Sequence, residues 1–350
     1  MAQQIIKGIA KLADLLKNKK YLLVCDSSFP FLPIKDQFDT EIQFSEFTPN
    51  PLYEQVCKGV VLFNEKKCDS IVAIGGGSTI DVAKCIKLYC KMDSNRNYLE
   101  QEKVDTGVPL IVIPTTAGTG SESTRHAVIY FEGVKQSISH PSIVPDYAVL
   151  EPSVLKTLPI YQKKCTMLDA LCQGIESWWS VNSTDESKVY SKKAVQLIKD
   201  HWKTYIEQNT SLDEIMEAAN YAGRAINITA TTAAHAMSYK LTSMYKLPHG
   251  HAVAVCMKEV WGYMIGHIDN SIELRGKEYL KGIFSDISQI VDLEWFCKLM
   301  KSLEMSYPSS ENREEDIKLL TASVNPIRLK NNPVALSSEV LQGMYEKIVR

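Results

Sequence analysis

The segment SIVAIGGGSTIDVAK, residues 70–84, constrains this chain more than any other stretch. It begins as an uninterrupted apolar run, the mark of a strand covered on both faces. Three glycines then allow a tight turn, and TIDVAKCIKLYCKM (79–92) continues with helical spacing. A strand buried on both sides needs similar neighbours and helices above and below. YLLVCD (21–26), VPLIVIPTT (108–116), AVIYF (127–131) and YAVLEP (147–152) read as such strands, and NPLYEQVCKGVVLFNEKKC (50–68) as a helix. Residues 1–151 are therefore expected to form an α/β domain with a mainly parallel sheet. From about residue 162 the strand runs stop and helical periodicity takes over, so 152–350 are expected to form an all-helical domain. The charge-rich SSENREEDIKLLTAS (309–323) reads as a surface loop entering a helix. A ligand cleft between two such domains is the default expectation.

The bulk numbers exclude several classes. At 350 residues and a formal net charge of -2, the chain is long enough for two domains and has no global attraction for nucleic acid or anionic membrane. No apolar run reaches membrane-spanning length. The nine cysteines are scattered without a CxxC pair, which reads as reduced thiols in a cytoplasmic protein. MAQQIIKGIAKLADLLKNKK (1–20) reads as an amphipathic helix, not a signal peptide.

Two turns leave apolar strands with ligand-binding chemistry. AIGGGSTIDVAK (73–84) is neither a GxGxxG fingerprint nor a Walker A loop. Even so, Gly75, Gly76, Gly77 and Ser78 sit where the first N–H groups of a helix can hold a phosphate, with Ser78 or Thr79 available as its cap. IPTTAGTGSEST (113–124) adds Thr115, Thr116 and Thr119 among glycines and serines, a set of donors suited to a polyanion. Asp26 ends the first apolar strand, where a carboxylate can accept from a ribose diol and repel a 2'-phosphate. A tight structural turn also explains each feature taken singly.

DALCQGIESWW (169–179) places Asp169 and Gln173 at i and i+4, on one helical face. AAHAMSYKLTSMYKLPHGHA (233–252) supplies His235, His249 and His251. Two imidazoles and a carboxylate suit iron or zinc, with a neutral amide as a weaker fourth donor. A hydrogen-bonded core histidine and a buried, cation-paired Asp account for the same spacing. Trp178 and Trp179 read as packing residues.

Taken together, AIGGGSTIDVAK, IPTTAGTGSEST, DALCQGIES and LPHGHAVAV resemble, in order and spacing, the iron-dependent (group III) alcohol dehydrogenase family. The resemblance implies the dehydroquinate synthase-like fold of that family, with an α/β nucleotide-binding domain followed by a helical metal- and substrate-binding domain. It implies NAD(H) in preference to NADP(H), given Asp26. The pyrophosphate would lie at Gly75, Gly76, Gly77 and Ser78, near Asp81. Thr115, Thr116 and Thr119 would line the cofactor, and Lys135 would approach the nicotinamide ribose. It further implies one divalent metal, Fe(II) or Zn(II), on Asp169, Gln173, His235 and His249. Gln173 and Tyr239 stand where the family usually carries histidines, so Tyr239 takes the position of a proton-relay candidate. The family usually opens with a strand ahead of the first helix, which this N-terminus reads as lacking. A homodimer is also implied.

Within the family, LDALCQGIESWWSVNSTDESK and GSESTRHAV resemble the phosphonoacetaldehyde reductase (2-hydroxyethylphosphonate dehydrogenase) branch. The implied reaction is metal-assisted reduction of a small anionic aldehyde by NADH. Arg125 and His126 would receive the phosphonate, with Arg224, Lys240 and Arg328 as further cations. A general short-chain alcohol dehydrogenase, a reductase of a small phosphorylated ketone, and a metal-free nucleotide-binding protein are the alternatives.

Overall fold

The structure is a computed structural model that describes residues 3–38 and 40–350. Their contacts divide the chain into two compact units, the first ending at Leu158 and the second spanning Pro159–Arg350.

The first unit contains strands β1 (Gln4–Lys7), β2 (Tyr21–Cys25), β3 (Gln43–Phe44), β4 (Ser70–Gly75), β5 (Leu110–Pro114), β6 (His126–Phe131), β7 (Val134–Ser139) and β8 (Tyr147–Leu150), with helices α1 (Leu12–Leu16), α2 (Tyr53–Glu65) and α3 (Gly77–Tyr89). Six strands form one wholly parallel sheet in the order β1-β8-β5-β4-β2-β3. The central strands β2, β4 and β5 are buried at every residue, as their uninterrupted apolar runs require. Edge strand β1 keeps only Ile5 and Ile6 partly covered between Gln4 and Lys7.

Three expectations are corrected here. The N-terminal stretch is not one helix. It is a strand paired with β8, then a turn at Gly8 (φ 72°), then the short helix α1. The strand thought to be missing is therefore present. Its two isoleucines happened to continue the helical spacing of the leucines after them, and a left-handed glycine breaks that continuity. Second, AVIYF does not join the main sheet. It pairs antiparallel with β7 in a separate hairpin, closed by Glu132 (φ 51°) and Gly133 (φ 75°), the two left-handed residues that a tight hairpin turn needs. Third, neither Ser78 nor Thr79 caps α3. The N-cap is Gly76, and both residues lie inside the first turn.

The second unit is helical: α4 (Ile160–Trp179), α5 (Asp185–Gln208), α6 (Leu212–Thr229), α7 (Ala233–Tyr245), α8 (His249–Gly266), α9 (Lys277–Ser288), α10 (Leu293–Ser302), α11 (Arg313–Ser323), α12 (Pro326–Leu329) and α13 (Ser338–Ile348). Helix α4 is its centre and packs on α5, α6, α8 and α9. Trp179, 1% exposed, meets Trp261 and Phe284 edge to face at its end. Such pairs add about 0.5–1.5 kcal/mol beyond area burial. No helix among the described residues is long and apolar enough to cross a membrane. All nine cysteines are free thiols.

Candidate functional site

In the first unit, the two turns named from sequence meet at the carboxyl ends of β4 and β5. Thr115 N donates to Gly75 O (3.0 Å). A Cβ on Gly75 would lie 2.2 Å from Thr79 Oγ1 and 2.8 Å from Asp26 Oδ2; one on Gly77 would lie 2.9 Å from Thr119 Cγ2. One on Gly76 would meet only Thr116, at 3.5 Å. Gly75 and Gly77 are thus required for close packing. Gly76 leaves backbone open above the turn.

Asp26 is half-buried. It accepts from Ser28 N and Oγ through Oδ1 and from Thr79 Oγ1 (3.0 Å) through Oδ2. Ser78 Oγ accepts from Asn50 N. Asp81 points into the protein, where it accepts from Ser121 Oγ (2.8 Å) and Val128 N (3.0 Å). Its electrostatic neighbours include Lys84 and Lys135, and burial raises its pKa.

Lys84, quoted in the motif but given no role there, is fully buried. Its Nζ donates to Ser121 Oγ (3.0 Å), Thr124 Oγ1 (3.1 Å) and His126 O (2.7 Å). Desolvation lowers its pKa to about 8, against the pull of Asp81 and Glu122. Asp81 and Lys84, one helical turn apart on α3, thus tie that helix to the Thr/Gly loop. Arg125 is exposed just after this loop, and His126 opens β6 opposite Ser139.

In the second unit, Asp169, His235 and His249 converge. Their ligand atoms all lie within 4.8 Å of one another. Asp169 Oδ1 is 3.2 Å from His235 Nε2 and 4.0 Å from His249 Nε2. Asp169 and His235 are each 3% exposed, while His249 is partly open.

Local sequence explains the convergence. Pro248 is the N-cap of α8, and His249 is its first residue. Gly250 follows, and a Cβ there would stand 1.9 Å from Cys165 O and 2.9 Å from Asp169 Cβ. Only glycine lets the start of α8 touch the backbone of α4, and that contact brings His249 to Asp169.

Gln173, 3% exposed, donates its amide to Asp169, and its buried Oε1 meets no hydrogen-bond donor among the described residues. The Tyr239 ring lies parallel to His249 with centroids 5.8 Å apart. Burial raises the Tyr239 pKa, and the charge of Arg328 opposes that shift. Arg224 is taken up by Tyr190. His251 is a core histidine between the Tyr161 hydroxyl and Ser306 O, its pKa lowered by burial.

Sequence reasoning missed Glu176, which is bonded to His235 Nδ1 and completely buried. The available signal was spacing: 169, 173 and 176 share one face of α4.

The electrostatics favour a cation. Burial opposes ionisation of Asp169, but the His235 hydrogen bond and the neighbouring His249 outweigh it and hold the carboxyl below its usual range. Burial opposes Glu176 in the same way, and the His235 charge again prevails. Burial works against the His235 imidazolium, yet Glu176 and Asp169 lift its pKa to about 9. Both carboxylates are thus held ionised in the protein interior, where an anion needs a cationic partner. Two imidazole nitrogens and a carboxylate oxygen are a donor set for a divalent transition metal, whose binding releases the ring proton. The residues present therefore fit a metal ion.

Comparison with known proteins agrees with both halves. Residues 3–152 match the family model described as iron-containing alcohol dehydrogenase, and residues 164–349 match that of the Fe-containing alcohol dehydrogenase family, C-terminal. The chain is 30% identical over 364 residues to the NAD-dependent methanol dehydrogenase of Bacillus methanolicus, covering 96% of this chain and 94% of that protein. It is 28% identical over 338 residues to the 4-hydroxybutyrate dehydrogenase of Clostridium kluyveri, covering 91% and 89%. Among solved structures, an iron-containing alcohol dehydrogenase from Thermotoga maritima superposes with a TM-score of 0.82 at 26% identity, covering 99% and 98% of the two chains. The NAD+ complex of sulfoacetaldehyde reductase from Bifidobacterium kashiwanohense has the same fold, with a TM-score of 0.85 at 24% identity and coverage of 99% and 96%.

Proposed function

The chain belongs to the iron-containing alcohol dehydrogenase family, and from that premise we propose that it reduces a small anionic aldehyde to the alcohol with NADH, phosphonoacetaldehyde to 2-hydroxyethylphosphonate being the favoured reaction. The observation that carries this reading is the convergence of Asp169, His235 and His249 on one point of the helical unit. When bound, the metal supplies a Lewis acid for a carbonyl oxygen and the nicotinamide supplies the reducing hydride.

The chain's own residues do the rest. Asp169, His235 and His249 hold the cation, and Gln173 steadies Asp169 through its amide. Having no charge or imidazole to offer, Gln173 leaves a metal more electrophilic and less tightly held than a histidine would. Tyr239, stacked on His249, fixes that ring and stands ready with a phenol proton. In the first unit, the backbone around Gly76 and the start of α3 receives the pyrophosphate. Thr115, Thr116 and Thr119 line the cofactor, Asp26 favours NAD(H), Asp81 braces the Thr/Gly loop through Ser121, and Lys135 is assigned to the nicotinamide ribose. The name of the methanol dehydrogenase supports the NAD preference. That of the 4-hydroxybutyrate dehydrogenase supports a substrate with an anionic end. Arg125 and His126 are the groups assigned to the phosphonate, and bidentate pairing by Arg suits that dianion.

The test is NADH oxidation by metal-stripped protein, with Zn(II), Fe(II) or no metal restored and with phosphonoacetaldehyde or acetaldehyde as substrate. Metal-dependent turnover that prefers the phosphonate is expected. Turnover of acetaldehyde alone removes the anionic-substrate reading. NADH binding without turnover under any metal condition removes the dehydrogenase reading and leaves a nucleotide-binding protein.

A further inference from the structure

We propose that Glu176 is a positioning residue for the cation site: it holds the His235 ring with Nδ1 as donor and so leaves Nε2 as the ligand atom. The inference rests on reading Asp169, His235 and His249 as cation ligands.

Glu176 belongs to α4 and has no exposed surface. Its Oε1 accepts from Thr232 Oγ1 (2.9 Å), Ala234 N (2.8 Å) and His235 N (3.2 Å). Its Oε2 is bonded to His235 Nδ1. Helix α7 starts at Ala233, and its N-cap residue Thr232 makes no side-chain cap of its own. The orphan N–H groups at the start of a helix need acceptors. Glu176 provides one from a neighbouring helix, and Trp179 Nε1 steadies Thr232 from behind (3.1 Å). A single carboxylate thereby closes the end of α7 and grips the first imidazole after that end.

The grip decides which ring nitrogen is free. A carboxylate only accepts, and a neutral imidazole carries one ring proton. Facing Glu176, that proton stays on Nδ1. Nε2, 3.2 Å from Asp169 Oδ1, is then the ring nitrogen that faces Asp169 and His249, and the one that can ligate a cation once it has given up its proton.

Glu176→Gln separates the two duties. Its amide oxygen can still accept from the start of α7, but its NH2 faces Nδ1 and drives the ring proton to Nε2. Zn(II) alone is titrated into metal-stripped wild type and the variant in competition with a chelator. Nitrogen NMR of histidine-labelled protein reads the His235 tautomer. Expected are about 10–100-fold weaker Zn(II) binding in the variant, a neutral His235 protonated on Nε2 alone in its metal-free form, and Nδ1–H with Nε2 ligation in zinc-loaded wild type. Unchanged affinity in the variant, or ligation through Nδ1 in wild type, overturns the role of Glu176 while leaving the ligand set standing. The wild-type spectrum decides the matter even if the variant does not fold. Wild type that binds no Zn(II) at Asp169 removes the ligand reading itself, and this inference with it.

Discussion

The two polar clusters are assembled by opposite means. In the first unit, the chemistry lies on loops leaving strand ends, in backbone and hydroxyl groups, and Asp81 and Lys84, both bonded to Ser121, brace the loops from below. In the second unit, ligand atoms are side chains of regular helices, and a carboxylate on the central helix braces one of them. Parallel strands end together and so deliver backbone to one edge of a sheet. Helices satisfy their own backbone and can deliver only side chains, three or four residues apart. A glycine in the first cluster keeps loops close or backbone open, whereas the decisive glycine of the second lets two helices touch.

Glycine substitutions test this contrast most severely. Gly250→Ala drives a methyl group into Cys165 O, a backbone atom that cannot swing aside. A loss of about 3 kcal/mol is expected, with weakened Zn(II) binding as α8 withdraws His249. Gly76→Ala meets only Thr116 at 3.5 Å. Its stability should change by no more than about 0.5 kcal/mol while NADH affinity falls. Urea denaturation with ligand titration measures both, and equal destabilisation of the two variants breaks the comparison.

The braces come next. Lys84→Met takes from His126 O its closer donor and from Asp81 one of its two neighbouring cations, at a cost of about 1–3 kcal/mol, and it loosens NADH binding through the Thr/Gly loop. The pH dependence carries a sign. Lys84 titrates near 8 when folded and near its ordinary 10.5 when unfolded. Below about pH 8 it is charged in both states, and the cost of burying that charge is fully present. Between about 8 and 10.5 the folded state has released a proton that the unfolded state still holds, so stability rises with pH. Urea midpoints across that range should climb for wild type relative to Lys84→Met. A flat difference means the lysine is not desolvated.

The smallest effect belongs to Gln173→His. Replacing the amide with an imidazole should tighten Zn(II) binding on the order of tenfold, as a stronger nitrogen donor joins the set. Equal or weaker binding would show that Gln173 lies beyond reach of the ion and serves only Asp169.

Much of this organisation was readable without coordinates. Continuous apolar strands at 70–75 and 110–114 could only be the middle of a covered parallel sheet, and the loss of strand runs after 162 marked the helical half. The pairing of Asp169 with His235 and His249 was visible as residue types, and family resemblance joined them. Glu176 was hidden because a carboxylate inside an apolar helix looks the same whether it faces solvent, a lysine or a histidine. The opening strand was hidden because two isoleucines fit both a strand and a helical stripe.

Local sequence therefore determined what depends on short-range periodicity and backbone freedom: the buried strands, the glycine turn and the helical second half. Tertiary structure alone decided what depends on the approach of segments far apart in sequence. It turned Asp81 inward to Ser121, gave the end of α7 to a carboxylate on α4, and made Gly250 the contact that sets His249 beside Asp169. Pattern encodes which face of an element is apolar. Which atom meets which across two packed elements is settled only when their surfaces interlock at close-packed density.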